Sequence, residues 1–417
     1  MSGRGGCRPS ARTEIKGSFM TQKKKTHLRI LAPPENLDEA REKVNRFQRA
    51  KMRRILVFVV ILILAACGTY LLLDNQSYGH ARTSARYQGS ISDTSSYVQF
   101  ADGIVRYNRD GVAFLNEKNE EQWIQPTQLQ NPVVEVKHES FAVADNGGNN
   151  ILVFTEEGLT GEIETTLPIE KIALSDQGIV SVVLRNESAP EIVTYDATGN
   201  ILVELQTSPG TTGYPTALEL SDDGNMMAVS YLTLDGTGIS SRVIYYDFSE
   251  SGQSRQDNIV SSRVYEDTVM ADIFFMGSDR SVVVGDSSFV IYRGTDSPEV
   301  EKEITLDQEI QSVFHSGRYI GFVLLNQEKS GYELRLYNRQ GEQVVSRELP
   351  GKYSNAKIDG DEVILFDGDR CCIVTASGII KYEGELDIEA LEMFRAFGIN
   401  RYYVINVDEL RVIYLTK

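Results

Sequence analysis

The segment EIVTYDATG at residues 191–199 decides the fold of this chain, because its pattern occurs eight times. Each copy is a short run of alternating apolar residues that carries one large side chain, and a polar turn usually follows it. The other clear copies are ILVFTEEG at 151–158, ELRLYNRQG at 333–341 and CIVTASG at 372–378. Looser copies are GVAFLNEKN at 111–119, RVIYYDFSESG at 242–252, FVIYRGTDS at 289–297 and RVIYLTK at 411–417.

Aligning the eight copies places one side chain of each in register, at spacings of 40, 41, 51, 46, 45, 37 and 40 residues. The aligned residues are Phe114, Phe154, Tyr195, Tyr246, Tyr292, Tyr337, Val374 and Tyr414. A period of this length is typical of one propeller blade. We therefore expect an all-β chain that forms a β-propeller over residues 97–417, with eight blades, or with seven if the terminal units merge.

Further apolar runs precede each copy, so that each repeat supplies a four-stranded antiparallel meander. Runs such as GIVSVVLR and MMAVSYL are short and rich in Val, Ile and Leu, which suits buried strands. Turn signals such as Asp222-Asp223-Gly224 separate the first strand of a blade from the second. The last repeat has only three strands, so we expect a strand from the N-terminal side to complete it and close the ring.

The run 55–73 has nineteen residues and no charge, which is long enough for a helix to cross a bilayer core. Residues 1–54 carry 15 Lys or Arg against five Asp or Glu, and the rest of the chain carries 27 against 54. The positive-inside rule places the basic segment in the cytoplasm. These features predict a single-pass protein of the cell membrane with an acidic propeller outside.

A second interpretation of this run stays open, because Leu64-Ala65-Ala66-Cys67 has the form of a bacterial lipobox. Cleavage there would leave a lipidated Cys67 in place of a membrane-spanning helix. We favour the uncleaved anchor, because the apolar run continues past the cysteine to Leu73. The true start of the chain is also open, and the candidate initiators are Met1, Met20 and Met52.

Two further segments flank the apolar run. Residues 35–54 read as an amphipathic helix, because Leu37, Ala40, Val44 and Phe47 recur at spacings of three and four. We expect this basic helix to lie on the anionic inner leaflet of the membrane. Residues 74–96 are rich in Ser, Tyr, Gly and Thr without periodicity, which predicts a flexible tether that holds the outer domain off the surface.

Several stretches carry a resemblance to a known group of proteins. They are YVQFADGIVRYNRDGVAFLN with Trp123, LPIEKIALSDQGIV, GYPTALELSDDGNMMAVSYL, EIQSVFHSGRYIGFVLL and ELRVIYLTK. Together with the apolar run, they make the chain similar to an uncharacterised family of single-pass Gram-positive membrane proteins with an outer propeller. The stretch LSDDGNMMAVSYL also resembles blades of WD40-like and TolB-like propellers. The family implies no activity and no catalytic residues.

The sequence lacks the motifs of the enzymes that propellers host. A serine triad needs a histidine base, for which the predicted propeller offers only His138 and His315, and there is no G-x-S-x-G segment for the nucleophile. Isolated histidines of this kind are typical of surface or packing positions. No residues have zinc-ligand spacing. We therefore expect no catalytic residue, no metal and no cofactor, and a carbohydrate-active enzyme is the third hypothesis because carboxylates are abundant.

Calcium and nucleic acid are two further candidate ligands. The Asp-Gly-Asp segments at 359–361 and 367–369 offer oxygen atoms for calcium, which is a weak alternative because neither has the spacing of a calcium-binding loop. An outer domain with a net charge of −27 repels phosphate, so nucleic acid is not an expected partner.

A rigid repeat domain on one anchor is typical of binding proteins, so the leading hypothesis is an extracytoplasmic scaffold for a protein or cell-envelope component. The alternative is a transmembrane sensor that couples an outer ligand to the basic cytoplasmic segment.

Partner-binding residues follow from strand direction. In a four-stranded meander, the connections between strands two and three share a face with the connections between blades. The longest irregular segments are assigned to these positions: 185–190, 208–214, 234–241, 249–267 and 326–332. We therefore predict that recognition uses this face, with Tyr214, Asp235 and Tyr332 among the contacts.

Overall fold

Eight antiparallel sheets follow one another in the computed structural model, which describes residues 37–88, 95–208, 210–235, 238–327 and 330–417. The chain divides into two units, Met1–Gly68 and Thr69–Lys417, and the sheets belong to the second. Seven sheets have four strands and one has three. This architecture is an eight-bladed β-propeller, which confirms the all-β fold and the blade number that the repeat predicts.

The first four blades occupy residues 96–266. Blade 1 contains β2 (Ser96–Phe100), β3 (Gly103–Tyr107), β4 (Gly111–Leu115) and β5 (Glu121–Pro126). Blade 2 contains β6 (Pro132–Val136), β7 (Phe141–Asp145), β8 (Asn150–Thr155) and β9 (Gly158–Glu164). Blade 3 contains β10 (Ile169–Leu174), β11 (Val180–Leu184), β12 (Glu191–Tyr195) and β13 (Ile201–Gln206). Blade 4 contains β14 (Tyr214–Leu220), β15 (Met226–Asp235), β16 (Gly238–Asp247) and β17 (Ile259–Glu266).

The other four blades complete the ring. Blade 5 contains β18 (Met270–Phe275), β19 (Arg280–Gly285), β20 (Ser288–Arg293) and β21 (Glu299–Thr305). Blade 6 contains β22 (Glu309–His315), β23 (Tyr319–Asn326), β24 (Gly331–Asn338) and β25 (Gln343–Leu349). Blade 7 contains β26 (Asn355–Asp359), β27 (Glu362–Thr375) and β28 (Ile380–Ala390). Blade 8 contains β29 (Glu392–Arg395), β30 (Arg401–Ile405), β31 (Glu409–Thr416) and β1 (His80–Gln88).

Apolar clusters fill the seams between neighbouring blades. In the seam between blades 1 and 2, the ring of Trp123 stacks on that of Phe154 with centroids 5.3 Å apart. Phe154 in turn stacks on Phe141 at 4.8 Å. The described residues form eight such clusters. Because each cluster draws on two blades, no blade buries its core alone, as the repeat pattern requires.

The ring closes through its N-terminal strand. Strand β1 pairs antiparallel with β31, from His80 opposite Thr416 to Gln88 opposite Glu409. Alternate residues of β1 point inward, and Ala85 and Tyr87 pack on the seam between blades 8 and 1. The predicted N-terminal closing strand is therefore confirmed.

The flexible tether predicted over 74–96 is wrong for residues 80–88, because they are this closing strand. The segment before it is also fixed. The backbone N–H of Tyr78 donates to the Lys381 carbonyl at 2.8 Å, and the Ser77 hydroxyl donates to the Ile380 carbonyl at 2.7 Å. The chain is thus attached to blade 7 before it joins blade 8.

Blade 7 departs from the four-strand expectation. Residues 362–366 of β27 pair with β26, and residues 368–374 pair with β28, with a register shift between Gly368 and Arg370. Gly368, where the pairing with β28 begins, has a φ of +61°, which glycine adopts without steric cost. One long strand therefore fills the places of strands two and three.

One helix, Leu37–Asp74, precedes the propeller. It is continuous over the positions where the sequence predicts an amphipathic helix (35–54) and a separate span (55–73). Within the described residues, no helix combines the length and apolar character that crossing a membrane requires. The structure therefore does not support the predicted transmembrane helix. Residues 1–36, and the side chain of Cys67, lie outside the described set.

The two faces of the ring differ. We call the loop face the side that carries the β15–β16 and β23–β24 connections and the connections between blades. The turn face carries the turns between strands one and two and between strands three and four, such as Ala197-Thr198-Gly199.

One segment assigned to the loop face is on the other side. Residues 248–258, with 3-10 turns at Gly252–Ser254 and Gln256–Asn258, join strands three and four of blade 4. The Phe248 N–H donates to the carbonyl of Asn225, which lies in a turn-face turn. The loop-face position predicted for 249–267 is therefore wrong, since β17 within it is the outer strand of its blade.

Deleting residues 409–417 from the full chain should remove most of the ~5–15 kcal/mol that stabilises a domain of this kind, because β1 and β30 both lose their partner. Thermal unfolding followed by circular dichroism measures the effect. Arg82→Ala, on the exposed side of β1, is the matched control and should leave the melting temperature nearly unchanged. Equal melting temperatures for the deletion and the control would contradict closure through the termini.

Candidate functional site

A charged central channel is the feature of the ring with the most chemical content. A cavity of about 470 Å³ is lined by residues of the first strands of blades 2 to 6, namely β6, β10, β14, β18 and β22. Side chains alternate along these strands. On β6, Val134 packs outward against the seam, whereas Glu135 lines the channel.

Lys137 and Glu219 form the central ion pair of this channel. The Lys137 ammonium lies 2.5 Å from the Glu219 carboxylate and 3.9 Å from that of Asp222. Both side chains of the 2.5 Å pair are 16% exposed. Burial lowers the pKa of Lys137, but attraction to Glu219 outweighs this and the net pKa is raised. Burial in turn raises the pKa of Glu219 to about 7, although the charge of Lys137 opposes this.

Two further carboxylates share the channel with this pair. Desolvation by the channel walls, reinforced by repulsion from Glu219, raises the pKa of Glu135 to about 7. Burial also raises the pKa of Asp272, against the opposing charge of Lys171. Water reaches both side chains along the channel, yet the low-dielectric walls still disfavour their charge. The channel thus holds a carboxylate whose charge changes near neutral pH.

His315 closes one side of the cavity as a neutral ring. Its imidazole stacks on Phe274 with centroids 3.8 Å apart, and burial lowers its pKa to about 4. The ring is exposed to the channel and packs on Phe274, which fits the surface or packing position expected of an isolated histidine. His138 lies on the turn face, where its backbone N–H donates to Asp176 at 2.9 Å.

A second ion pair links the first strands of blades 7 and 8. The Lys357 ammonium donates to the Glu392 carboxylate and lies 5.2 Å from the centre of the Phe394 ring. Charged residues on first strands therefore recur around the ring. They can fix the orientation of a polar group in the channel, whereas apolar walls could not.

Carboxylates of the two Asp-Gly-Asp segments, which were the weak candidates for calcium binding, have other partners. Asp359 accepts the backbone N–H of Arg395 at 2.7 Å, and Asp361 forms an ion pair with Arg318 at 2.9 Å. Asp367 accepts from Ser354 at 2.6 Å and pairs with Arg370 at 2.7 Å. In the part of the chain that is described, no three His, Cys, Asp or Glu side chains converge on a metal position.

The predicted partner contacts are separate from the channel's ion pairs. Tyr214 begins β14, Asp235 ends β15 and Tyr332 lies at the start of β24, so all three belong to the loop face. The Tyr214 hydroxyl donates to Glu170 at 2.5 Å. Tyr332 is half-buried against the seam between blades 6 and 7, two blades away, and the Asp235 side chain is outside the described set. The structure places them on one face without bringing them into one cluster.

Sequence reasoning missed the channel, although a signal was present. The first strands carry charged residues at positions that alternate with apolar ones, as in VEVK at 134–137 and LEL at 218–220. A charge inside a strand that must line the axis of a ring points to a polar channel.

The fold and the site thus define the class of this protein. It is an eight-bladed propeller with a charged central channel and two unlike faces. The chain belongs to a family of unknown function (DUF5711), whose model matches residues 74–415. No curated protein matches it.

Solved structures of other propellers share the fold at low sequence identity. BamB from Moraxella catarrhalis is 13% identical, with a TM-score of 0.50, over 81% of this chain and 100% of its own. Apo AztD from Citrobacter koseri is 11% identical, with a TM-score of 0.47, over 70% and 86%. A eukaryotic initiation factor is 11% identical, with a TM-score of 0.45, over 72% and 90%. At these identities the likeness concerns the fold alone.

Glu135→Gln should stabilise the protein more at pH 8 than at pH 5. The folded-state pKa of Glu135, about 7, lies above its ordinary value of 4.5, so the folded protein binds this proton more tightly than the unfolded chain. Its contribution to stability is therefore present at low pH and is lost as the pH rises from about 4.5 to 7. Melting temperatures across this range measure the effect.

The matched control is Glu164→Gln, on the exposed side of the outer strand β9. The control should show no such pH dependence. A gain from Glu135→Gln that is equal at both pH values would contradict the account of the channel.

Proposed function

We propose that this protein is a membrane-anchored binding module, whose propeller lies outside the cytoplasm and recognises a protein or a protein component of the cell envelope. The observation that carries the proposal is an apolar hairpin tip on the loop face. Strands β15 and β16 are ten residues each and pair as far as Asp235 opposite Gly238. The tip therefore extends past the level of Tyr214, which pairs with Leu232.

The side chains of this tip suit a partner rather than solvent. Leu234 is 75% exposed and Ile239 is 43% exposed, and the two lie opposite each other in the ladder. Below them, the Thr233 and Ser240 hydroxyls are hydrogen-bonded at 2.7 Å. Exposed apolar residues on a projecting element are a common anchor of protein interfaces. Tyr214 and Asp235 lie on the same blade and remain proposed contacts, together with Tyr332.

Attachment to a membrane is the second part of the proposal, and it rests on the sequence. The run 55–73 has no charge, and its large side chains from Ile55 to Leu64 are exposed. Apolar side chains along a helix of this kind are favoured by a lipid environment. The basic segment 1–54 would then face the cytoplasm.

A sensor is the second candidate, because the segment that leads into the propeller, residues 75–78, is bonded to blade 7. The Ser377 hydroxyl donates to the Asn75 side chain at 3.0 Å, and Tyr78 pairs with Tyr382. A ligand that shifts blade 7 against blade 8 would therefore act on the residues that follow the helix.

Detergent, but not high salt, should release the protein from membranes if residues 55–73 anchor it. In intact cells, a membrane-impermeant thiol reagent should modify Gln340→Cys, which is exposed on a turn, but not Lys43→Cys. Modification of both would contradict the proposed topology. Labelled palmitate on Cys67, with loss of the preceding segment, would favour the lipoprotein instead.

Leu234→Ser combined with Ile239→Ser should abolish crosslinking of a partner from cells while leaving the melting temperature unchanged, since both side chains are exposed. A photo-crosslinking residue at Tyr214 reports the partner, and mass spectrometry identifies it. Gln340→Ala on the turn face is the control and should keep the crosslink. If the crosslink survives the hairpin change and is lost with the turn-face change, the assigned face is wrong.

A further inference from the structure

The turn between β29 and β30 presents a large aromatic side chain to solvent. Phe397 is 89% exposed and Ile399, two residues on, is 39% exposed. The turn is held by backbone bonds on both sides, since the Ala396 N–H donates to Arg401 and the Leu415 N–H donates to Asn400, at 2.9 and 3.0 Å. An ordered turn therefore carries this apolar tip, which lies on the turn face.

The same turn contacts the segment through which the chain reaches the propeller. The Asn400 side-chain amide donates to the Tyr78 hydroxyl at 2.6 Å. The Gly79 N–H donates to the Thr416 carbonyl at 3.2 Å, which fixes the next residue on the adjoining strand. The point of arrival of the chain and the apolar tip are thus neighbours on one side of blade 8.

Chain length ties this point to the apolar run. Four residues lie between Leu73, the last residue of the run, and Tyr78, and the five residue steps that join these two extend over at most about 18 Å. A bilayer that surrounds the run must therefore have its surface close to the turn that contacts Tyr78. The β15–β16 hairpin, which contains Leu234, lies on the loop face, on the opposite side of the ring.

We propose that the Phe397-Gly398-Ile399 turn inserts into the interfacial layer of the same membrane that holds the 55–73 anchor. The inference rests on the anchor in the proposed function. Aromatic residues are enriched at this depth of a bilayer, where a ring can be buried near polar headgroups. Arg401, exposed beside the tip, can place its guanidinium at the phosphate level while its stem lies along the apolar surface.

The charges beside the turn select the lipid. The tip borders a groove whose lining has three carboxylates and one guanidinium, namely Asp102, Glu117, Asp359 and Arg395, so acidic groups are in excess. These carboxylates repel an anionic surface, so the proposed occupant is a zwitterionic bilayer. Contact at this turn would hold the turn face against the membrane and direct the loop face, with its exposed hairpin, away from it.

Tryptophan fluorescence in vesicles tests the contact. The full chain with Phe397→Trp is reconstituted into phosphatidylcholine vesicles, with and without bromine on the acyl chains. The native Trp123 gives the background, measured on the unchanged protein. Bromine should remove most of the emission that Trp at position 397 adds. Leu234→Trp, at another exposed apolar position, on the loop face, is the matched control and should keep its emission.

The outcomes separate this inference from the anchor. Flotation of the vesicles on a density gradient first shows whether the chain is inserted. If the chain floats and position 397 is quenched while position 234 is not, the contact holds. If the chain floats and bromine quenches the emission of neither position, the turn does not touch lipid, although the anchor stands. If the chain does not float, the anchor fails and this inference fails with it.

Discussion

The antiparallel pairing of β1 with β31 is the constraint on which the rest of the structure depends. The two strands are more than 300 residues apart in sequence, and their contact includes the Ser84 hydroxyl bonded to the Val412 carbonyl at 3.0 Å. Every seam of the ring needs a blade on each side, so an open ring would leave two apolar faces and two strand edges in water. Closure joins eight blades, none of which buries its apolar faces alone, into one cooperative domain.

Closure also determines what the ring can do. Because all eight blades meet, their first strands enclose an axis, and Glu135, Lys137 and Glu219 are held there between low-dielectric walls. The N-terminal strand must enter beside blade 7, which fixes the chain at Tyr78 on the turn face. The loop face is left without this attachment. The channel, the turn face and the loop face are thus separate consequences of one pairing.

The sequence predicted the features that repetition encodes and missed those that occur once. The blade number followed from aligned large side chains such as Tyr292 and Tyr337, which third strands bury. The closing strand followed from the last repeat, which has only three strands of its own. The sequence predicts a tether over residues 80–88, because an outermost strand buries only one side and therefore needs few apolar residues. Its inward residues include Ala81 and Ala85, which give a weak apolar signal. The channel pairs join residues far apart in sequence, which no local pattern reports.

Hydrogen exchange at the amides of β1 tests closure most directly, because it measures the pairing in the intact full chain. The account predicts that amides of residues 81–87 that bond to β31 exchange only when the whole domain unfolds, as slowly as the central amides of β30. If these amides exchange at the rate of an unstructured peptide while β30 stays protected, the ring is not closed through its N-terminal strand.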